Sequence, residues 1–173
     1  MAALVKVATV TLSDTRTEAD DEGGRALREL LAAAGVELVT HQIVREEVEL
    51  IRGVILALSK LEDVDAIVTT GGTGLAPRDV TLEALEALFD KPMLGFGEAF
   101  RRMSWDDVGP RAMLSNATAG VVGGRVVFAL PGSPKALRLA IPALVAPILG
   151  HAVALARGRA VHHGHAAPRA GGA

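Results

Sequence analysis

Short apolar runs alternate along the first half of the chain with longer segments in which apolar residues recur every three to four positions. The runs at residues 4–12, 36–44 and 66–70 are rich in valine, isoleucine and threonine, which predicts buried strands. The segments at residues 22–34 and 48–61 have the spacing of amphipathic helices. Strands separated by helices of this length predict right-handed crossovers and a parallel sheet. We therefore expect an α/β fold, a three-layer α/β/α sandwich.

The segments after residue 80 predict further helices and one hairpin. Helices are expected at residues 82–90 and 97–103, on either side of a loop at 91–96, with a helix cap at 104–107. Residues 118–122 and 125–130 flank two glycines, the signal of a two-residue hairpin. One antiparallel strand should therefore join the mostly parallel sheet.

Ser133 and Pro134 predict the start of the last helical region, because serine is a favoured N-cap and proline a favoured first residue. Pro142 and Pro147 should divide this region into two shorter pieces that extend to Leu155. Beyond it the sequence is rich in glycine, alanine and histidine without periodicity. We expect one domain at residues 1–158 and a flexible tail at residues 159–173.

Composition excludes several classes of protein. Hydrophobic residues make up 50% of the 173 residues, which argues against general disorder, and the net charge of −2 argues against an electrostatic nucleic-acid surface. There is no cysteine for a disulfide, a thiolate nucleophile or a cysteine-ligated zinc. No uninterrupted apolar run is long enough to span a membrane. The expected location is cytoplasmic, without nucleic-acid or membrane partners.

The stretch from Gly71 to Thr81 is the strongest candidate for a site. It joins a predicted strand to a predicted helix with Thr81 as its N-cap, and glycines at 71, 72 and 74 permit close backbone approach to an anion. The turn lacks the Gly-Lys-Ser/Thr of a P-loop and the spacing of a dinucleotide fingerprint. Arg78 and Asp79 offer a cation for an anionic group and a carboxylate for a metal. A plain tight turn is the alternative for the glycines alone.

Other polar residues follow neighbouring strands. The strand ends at Ser13-Asp14, Glu46 and Gly71 should meet at one edge of a parallel sheet, where ligands of such sheets bind. Any one of these carboxylates is more simply explained as a cap or a solvated residue than as a Mg²⁺ ligand. A second strand-to-helix junction, residues 131–135, is either an ordinary capped helix or an anion site. A Ser-His-Asp hydrolase is not expected, because no Gly-x-Ser-x-Gly elbow is present.

Several motifs, in order along the chain, resemble the MoaB/MogA family of molybdenum cofactor biosynthesis proteins and the related domain of gephyrin. They are Ser13-Asp14 with Asp21-Glu22-Gly23, the string from Gly71 to Thr81, residues 95–98, Leu114-Ser115 and residues 131–135. The resemblance covers residues 6–158. It implies a trimer or hexamer that binds molybdopterin and transfers AMP from Mg-ATP to the terminal phosphate of molybdopterin.

By the same resemblance, Asp79 and Glu46 are the predicted catalytic residues and Asp79 the predicted metal ligand. The predicted substrate-binding residues are Ser13, Asp14, Gly71, Gly72, Thr73, Gly74, Arg78, Thr81, Glu98, Ser115, Pro131, Gly132, Ser133 and Lys135. One departure matters: the adenylyltransferase members have Pro-Asp where this chain has Arg45-Glu46. The alternative is therefore a non-catalytic, MoaB-type protein that binds molybdopterin as an oligomer.

Overall fold

Six strands form one mixed sheet in residues 4–158, the part of the chain that the computed structural model describes. The order across the sheet is β2-β1-β3-β6-β5-β4. The strands are β1 (Lys6–Leu12), β2 (Glu37–Val44), β3 (Ala66–Thr70), β4 (Lys91–Pro92), β5 (Thr118–Val122) and β6 (Arg125–Leu130). β1 pairs in parallel with β2 and β3, and β3 pairs in parallel with β6. β5 is antiparallel to both of its neighbours, which confirms the predicted hairpin strand.

Helices cover both faces of the sheet, which confirms the three-layer prediction. They are α1 (Glu22–Ala33), α2 (Val48–Ser59), α3 (Thr81–Glu86), α4 (Leu94–Val108), α5 (Pro134–Ala140) and α6 (Ala146–Ala156). A 3₁₀ segment (Gly109–Leu114) follows α4, and a π-helical segment (Ile141–Val145) joins α5 to α6. Residues of α1, α4, α5 and α6 share one apolar cluster with one face of the sheet. Residues of α2 and α3 share a second cluster with the other face.

The region between residues 91 and 108 differs from the sequence prediction. The predicted loop at 91–96 contains the edge strand β4 and the start of α4, and the predicted cap at 104–107 lies inside α4. Two glycines in the first turn weaken the helical signal in the sequence. Burial of Phe96 and Phe100 compensates: both lie in the core, and Phe96 packs edge-to-face on Phe128 with ring centroids 5.2 Å apart. Tertiary packing, which local propensity does not include, therefore sets the length of this helix.

The last helical region has nearly the predicted extent, and its pieces form one continuous helical run. Pro142 lies in the π-helical segment that separates α5 from α6, in agreement with the two predicted pieces, whereas Pro147 lies in the first turn of α6 and the chain stays helical to Ala156. The whole run, Pro134–Ala156, has 23 residues and a mean hydropathy of 2.0 in its most apolar stretch. By length and composition alone such a helix could cross a membrane, and the sequence analysis does not predict this feature. Leu137, Ile141 and Leu149 are buried in the core against the sheet. One face of this helix therefore belongs to the core of the domain, and 28% of its most apolar 18-residue stretch is buried.

Residues 159–173, predicted to form a flexible tail, lie outside the described residues.

Candidate functional site

Four neighbouring parallel strands end side by side at one edge of the sheet. β1 connects to β2 on one side and is paired with β3 on the other, so the edge contains a topological switch point, where α/β sheets bind ligands. The loops that leave these strands border three neighbouring pockets that share lining residues, and we call the three together the groove. Its first part is lined by Ser13, Glu46, Gly71 and the start of α1. Its second part lies over the glycine turn, and its third part lies between α4 and α5.

The glycine turn begins with backbone angles that only glycine adopts easily. Gly71 has φ +112° and Gly72 has φ +63°. A β-carbon on Gly71 would lie 2.2 Å from the carbonyl oxygen of Leu12, the last residue of β1. The Gly71 amide donates to the Leu130 carbonyl oxygen at 2.9 Å. The turn is therefore pressed between the ends of β1 and β6, which a larger residue would push apart.

Thr81 holds this turn and is not the N-cap of α3, contrary to the sequence prediction. Its hydroxyl donates to the Gly71 carbonyl oxygen at 3.0 Å, and its amide donates to the Gly72 carbonyl oxygen at 3.1 Å. The N-cap position belongs to Val80, which makes no side-chain cap hydrogen bond. Thr81 is fully buried. Its hydroxyl therefore satisfies a backbone acceptor of the binding loop instead of a free amide of the helix.

Asn116, which the sequence analysis does not single out, fastens the opposite side of the groove to the same turn. Its amide donates to the Thr73 carbonyl oxygen at 2.8 Å, and its side-chain nitrogen donates to the Gly74 carbonyl oxygen at 3.3 Å. Ser115, the residue before it, therefore lies at a fixed position beside the turn. No short sequence motif identifies such a contact, because the two segments are 42 residues apart.

Asp14 links three of the loops at the edge. One carboxylate oxygen accepts the Glu46 amide at 3.1 Å, and the other accepts both the Nε, at 2.9 Å, and a terminal nitrogen of Arg78. The hydrogen bonds from Arg78 hold the pKa of Asp14 below its usual value. The cation that the sequence offers to an anionic ligand is therefore bound to a carboxylate of the protein.

The carboxylates of Glu46 and Asp79 lie close enough for their charges to interact. Partial burial raises the pKa of Glu46 above its usual value, and the negative charges of Asp79 and Asp14 raise it further. One oxygen of Asp79 accepts the Ala76 amide at 2.9 Å, which orients its carboxylate at the end of the turn. The two predicted catalytic residues thus share a region of negative potential.

The start of α1 opens onto the groove and is held by a buried network. Asp21 is the N-cap of α1: one oxygen accepts the Gly24 amide at 2.8 Å, and the other accepts the Thr11 hydroxyl at 2.7 Å and lies 3.1 Å from Nε2 of His41. Burial disfavours the charged form of Asp21, but these hydrogen bonds outweigh it and leave its pKa lowered. Burial and nearby Arg28 lower the pKa of His41. The sequence analysis names Asp21 only within a motif, and His41 is a missed member of this network.

The second strand-to-helix junction has the predicted cap. Ser133 is the N-cap of α5, and its Oγ accepts the Ala136 amide at 3.1 Å. Pro131, Gly132 and Ser133 line the groove. Lys135 lines its third part, but its ammonium group lies 2.8 Å from a carboxylate oxygen of Asp107 on α4.

Most predicted site residues therefore meet at one groove, in different roles. Ser13, Glu46, Gly71–Gly74, Asp79, Ser115 and residues 131–133 line it, whereas Asp14, Arg78 and Thr81 hold its loops together. Glu98 is exposed on α4 and lines none of the three parts, so the structure does not bring it to the site. Arg111, in the 3₁₀ segment, lines the second and third parts and is a site residue that sequence reasoning missed.

A metal held by protein side chains alone does not fit these residues. Within residues 4–158, no three histidine, aspartate or glutamate side chains converge as a metal site. Mg²⁺ in phosphate-transfer sites usually has one or two carboxylate ligands, with substrate phosphates and water completing the shell. Asp79 and Glu46 could supply these one or two carboxylate ligands.

Comparison with known proteins identifies the family of this fold. A family model described as "Probable molybdopterin binding domain" matches residues 8–151. The chain belongs to this family. Molybdenum cofactor biosynthesis protein B of Bacillus cereus is 49% identical over 148 residues, 85% of this chain and 88% of that protein.

Solved structures place the chain among the MoaB and MogA members of the family. A crystal structure of a molybdenum cofactor biosynthesis protein B has 46% identity and a TM-score of 0.87, and the match covers 90% of this chain and 98% of that one. A structure of MogA has 30% identity and a TM-score of 0.78, over 87% of this chain and 99% of that one. This molybdopterin-binding family therefore includes the chain over nearly all of its described residues.

Proposed function

We propose that this protein binds molybdopterin in the groove and transfers AMP from Mg-ATP to the terminal phosphate of molybdopterin. The supporting observation is that a glycine-rich strand-to-helix turn and two interacting carboxylates, Asp79 and Glu46, line one groove at the carboxyl edge of the sheet. An anion-binding turn suits a phosphate, and the carboxylates suit the cation that accompanies a nucleotide. A site that binds only a pterin has less need of two carboxylates that can hold a cation.

The chemistry places two polyanions against one another. A phosphate oxygen of molybdopterin attacks the α-phosphorus of ATP, the bond from that phosphorus to the bridging oxygen breaks, and pyrophosphate leaves. In such transfers the protein contributes mainly positioning and charge stabilisation. We assign the first role to the turn at Gly71–Gly74 with the hydroxyls of Ser13, Ser115 and Ser133, which border the same groove.

Asp79 and Glu46 would hold the Mg²⁺ that accompanies the nucleotide, and the cation would supply charge stabilisation at the phosphates. Burial is the larger cause of the raised pKa of Glu46, but the negative charges of Asp79 and Asp14 add to it, and a bound cation would offset those charges. In this role Asp79 also benefits from its hydrogen bond to the Ala76 amide, which fixes its orientation.

The test is AMP transfer to molybdopterin by the purified protein with Mg-ATP. Asp79→Asn should abolish the transfer and leave the thermal midpoint unchanged. Asp63→Asn is the matched control, because Asp63 is exposed in the loop before β3, at the opposite edge of the sheet. Equal rates for Asp79→Asn and the wild type would contradict the proposal.

A second candidate is a non-catalytic protein that binds molybdopterin and leaves ATP unconsumed. Glu46 favours it, since the glutamate is one methylene longer than the aspartate of the adenylyltransferase members, and transfer is sensitive to such displacements. The names of the relatives called protein B also fit it. In this case molybdopterin binds, ATP is not consumed, and Asp79→Asn has little effect.

We further propose that the protein acts as a cytoplasmic homo-oligomer, a trimer or a hexamer. Large apolar side chains remain exposed along α4 and the 3₁₀ segment: Leu94, Trp105, Val108, Met113 and Leu114. Several large apolar side chains exposed on one helix and the segment after it are typical of an interface. Sedimentation velocity should show a species of three or six chains, and a monomer at micromolar concentration would contradict the proposal.

A further inference from the structure

Arg111 is the cation of the groove that the protein leaves available. Arg111 follows Pro110 in the 3₁₀ segment, is exposed, and lines the groove where its second and third parts join. Arg16, at the other end, donates to the Asp20 carbonyl oxygen, and Lys135 is paired with Asp107. For Arg111 the structure records no hydrogen bond or ion pair within residues 4–158.

A second unsatisfied group lies beside it. The Ser115 hydroxyl is shielded from solvent and has no hydrogen-bond partner in the described part of the chain. Its backbone is held firmly: the Ser115 carbonyl oxygen accepts Arg101 at 3.2 Å, and Asn116 is bonded to the glycine turn. A buried hydroxyl without a partner is unfavourable, so its position beside the groove points to a ligand that satisfies it.

Ser133 completes the set from the start of α5. Its Oγ accepts the Ala136 amide, which leaves its own proton free to be donated. The groove there is bordered by one guanidinium and two hydroxyl donors, all of which line its second part. A group with several acceptor oxygens and a negative charge matches these donors, and a phosphate monoester or the phosphate chain of a nucleotide is such a group.

We infer that Arg111, Ser115 and Ser133 form a phosphate-binding subsite and that Arg111, rather than Lys135, supplies its cation. The inference rests on the proposed function, because molybdopterin and ATP both carry phosphate. Lys135 instead ties α5 to α4 through Asp107. Arginine suits the role because its planar fork makes paired hydrogen bonds to two phosphate oxygens, which lysine cannot reproduce.

The experiment measures binding of molybdopterin and of Mg-ATP separately, by calorimetry on the full chain. Arg111→Gln should weaken at least one ligand about tenfold or more, since a charge-assisted hydrogen bond is lost, and Arg111→Lys should recover part of the affinity. Lys60→Gln removes one positive charge from an exposed site at the end of α2, outside the groove, and should bind as the wild type does. Thermal midpoints of all variants should agree, because Arg111 is exposed.

The outcomes separate the two ligands and the two proposals. Loss confined to molybdopterin assigns the subsite to its phosphate, and loss confined to ATP assigns it to the nucleotide. Wild-type protein that binds molybdopterin through Arg111 but transfers no AMP would support the subsite and contradict the transferase.

Three results would overturn the subsite: affinities of Arg111→Gln within twofold of the wild type for both ligands, a loss seen only with Lys135→Gln, or a wild type that binds neither ligand.

Discussion

Substitution of Gly71 by alanine tests the claim that the binding turn is built by close packing between strand ends. The new β-carbon would lie 2.2 Å from the Leu12 carbonyl oxygen, well inside van der Waals contact, in a residue whose φ is +112°. Backbone strain of this kind costs about 1–3 kcal/mol, and overpacking against a rigid neighbour costs about 1–3 kcal/mol more. Gly71→Ala should therefore lower the free energy of unfolding by about 2–6 kcal/mol.

The matched control is Gly95→Ala. Gly95 lies in the first turn of α4, has no heavy atom within 4 Å of an added β-carbon and has no positive φ. Alanine there should leave the free energy of unfolding unchanged or raise it by up to about 1 kcal/mol. Both values come from urea denaturation followed by circular dichroism. A Gly71→Ala protein within about 0.5 kcal/mol of the wild type, the usual range for neutral surface changes, would refute the packing argument.

Other site residues give three further predictions. Thr81→Val should cost about 1–3 kcal/mol in urea denaturation, because the Gly71 carbonyl oxygen loses its donor, whereas Thr81→Ser should cost less; equal costs would contradict that role. Glu46→Gln should raise the free energy of unfolding of the ligand-free protein at neutral pH. The pKa of Glu46 is raised in the folded state, so the stability that its protonated form contributes is present below the usual value of 4.5 and is lost as pH rises through the folded pKa. The gain should disappear as pH falls below that usual value, and a gain independent of pH would contradict the assignment. Arg78→Gln should return the pKa of Asp14 towards its usual 3.8, as followed by carboxyl NMR titration, and an unchanged pKa would show that the ion pair does not form in solution.

The sheet and its site edge follow from the sequence because they depend on local patterns. The runs that become β1, β2 and β3 are β-branched and bounded by turn residues, and Gly123-Gly124 marks the hairpin. Once the strands are known to be parallel, their carboxyl ends must meet, which brings Ser13, Glu46 and Gly71 together.

The remaining features depend on contacts between distant segments. α4 owes its length to the burial of Phe96 and Phe100, and Thr81 bonds backwards to Gly71 instead of capping its own helix. The contacts of Asn116 with the turn, and the position of Arg111 on the groove wall, arise only when α4 and the 3₁₀ segment fold over the strand ends. No local pattern in the sequence predicts them.

The most direct test of the account compares AMP transfer to molybdopterin by the wild type and by Glu46→Asp, with Mg-ATP in both reactions. We predict that the wild type forms adenylylated molybdopterin with release of pyrophosphate, which would show that glutamate serves at this strand end. Product from Glu46→Asp alone would identify a binding protein one methylene away from catalysis. No product from either, with molybdopterin still bound, would contradict the transferase and establish the non-catalytic alternative.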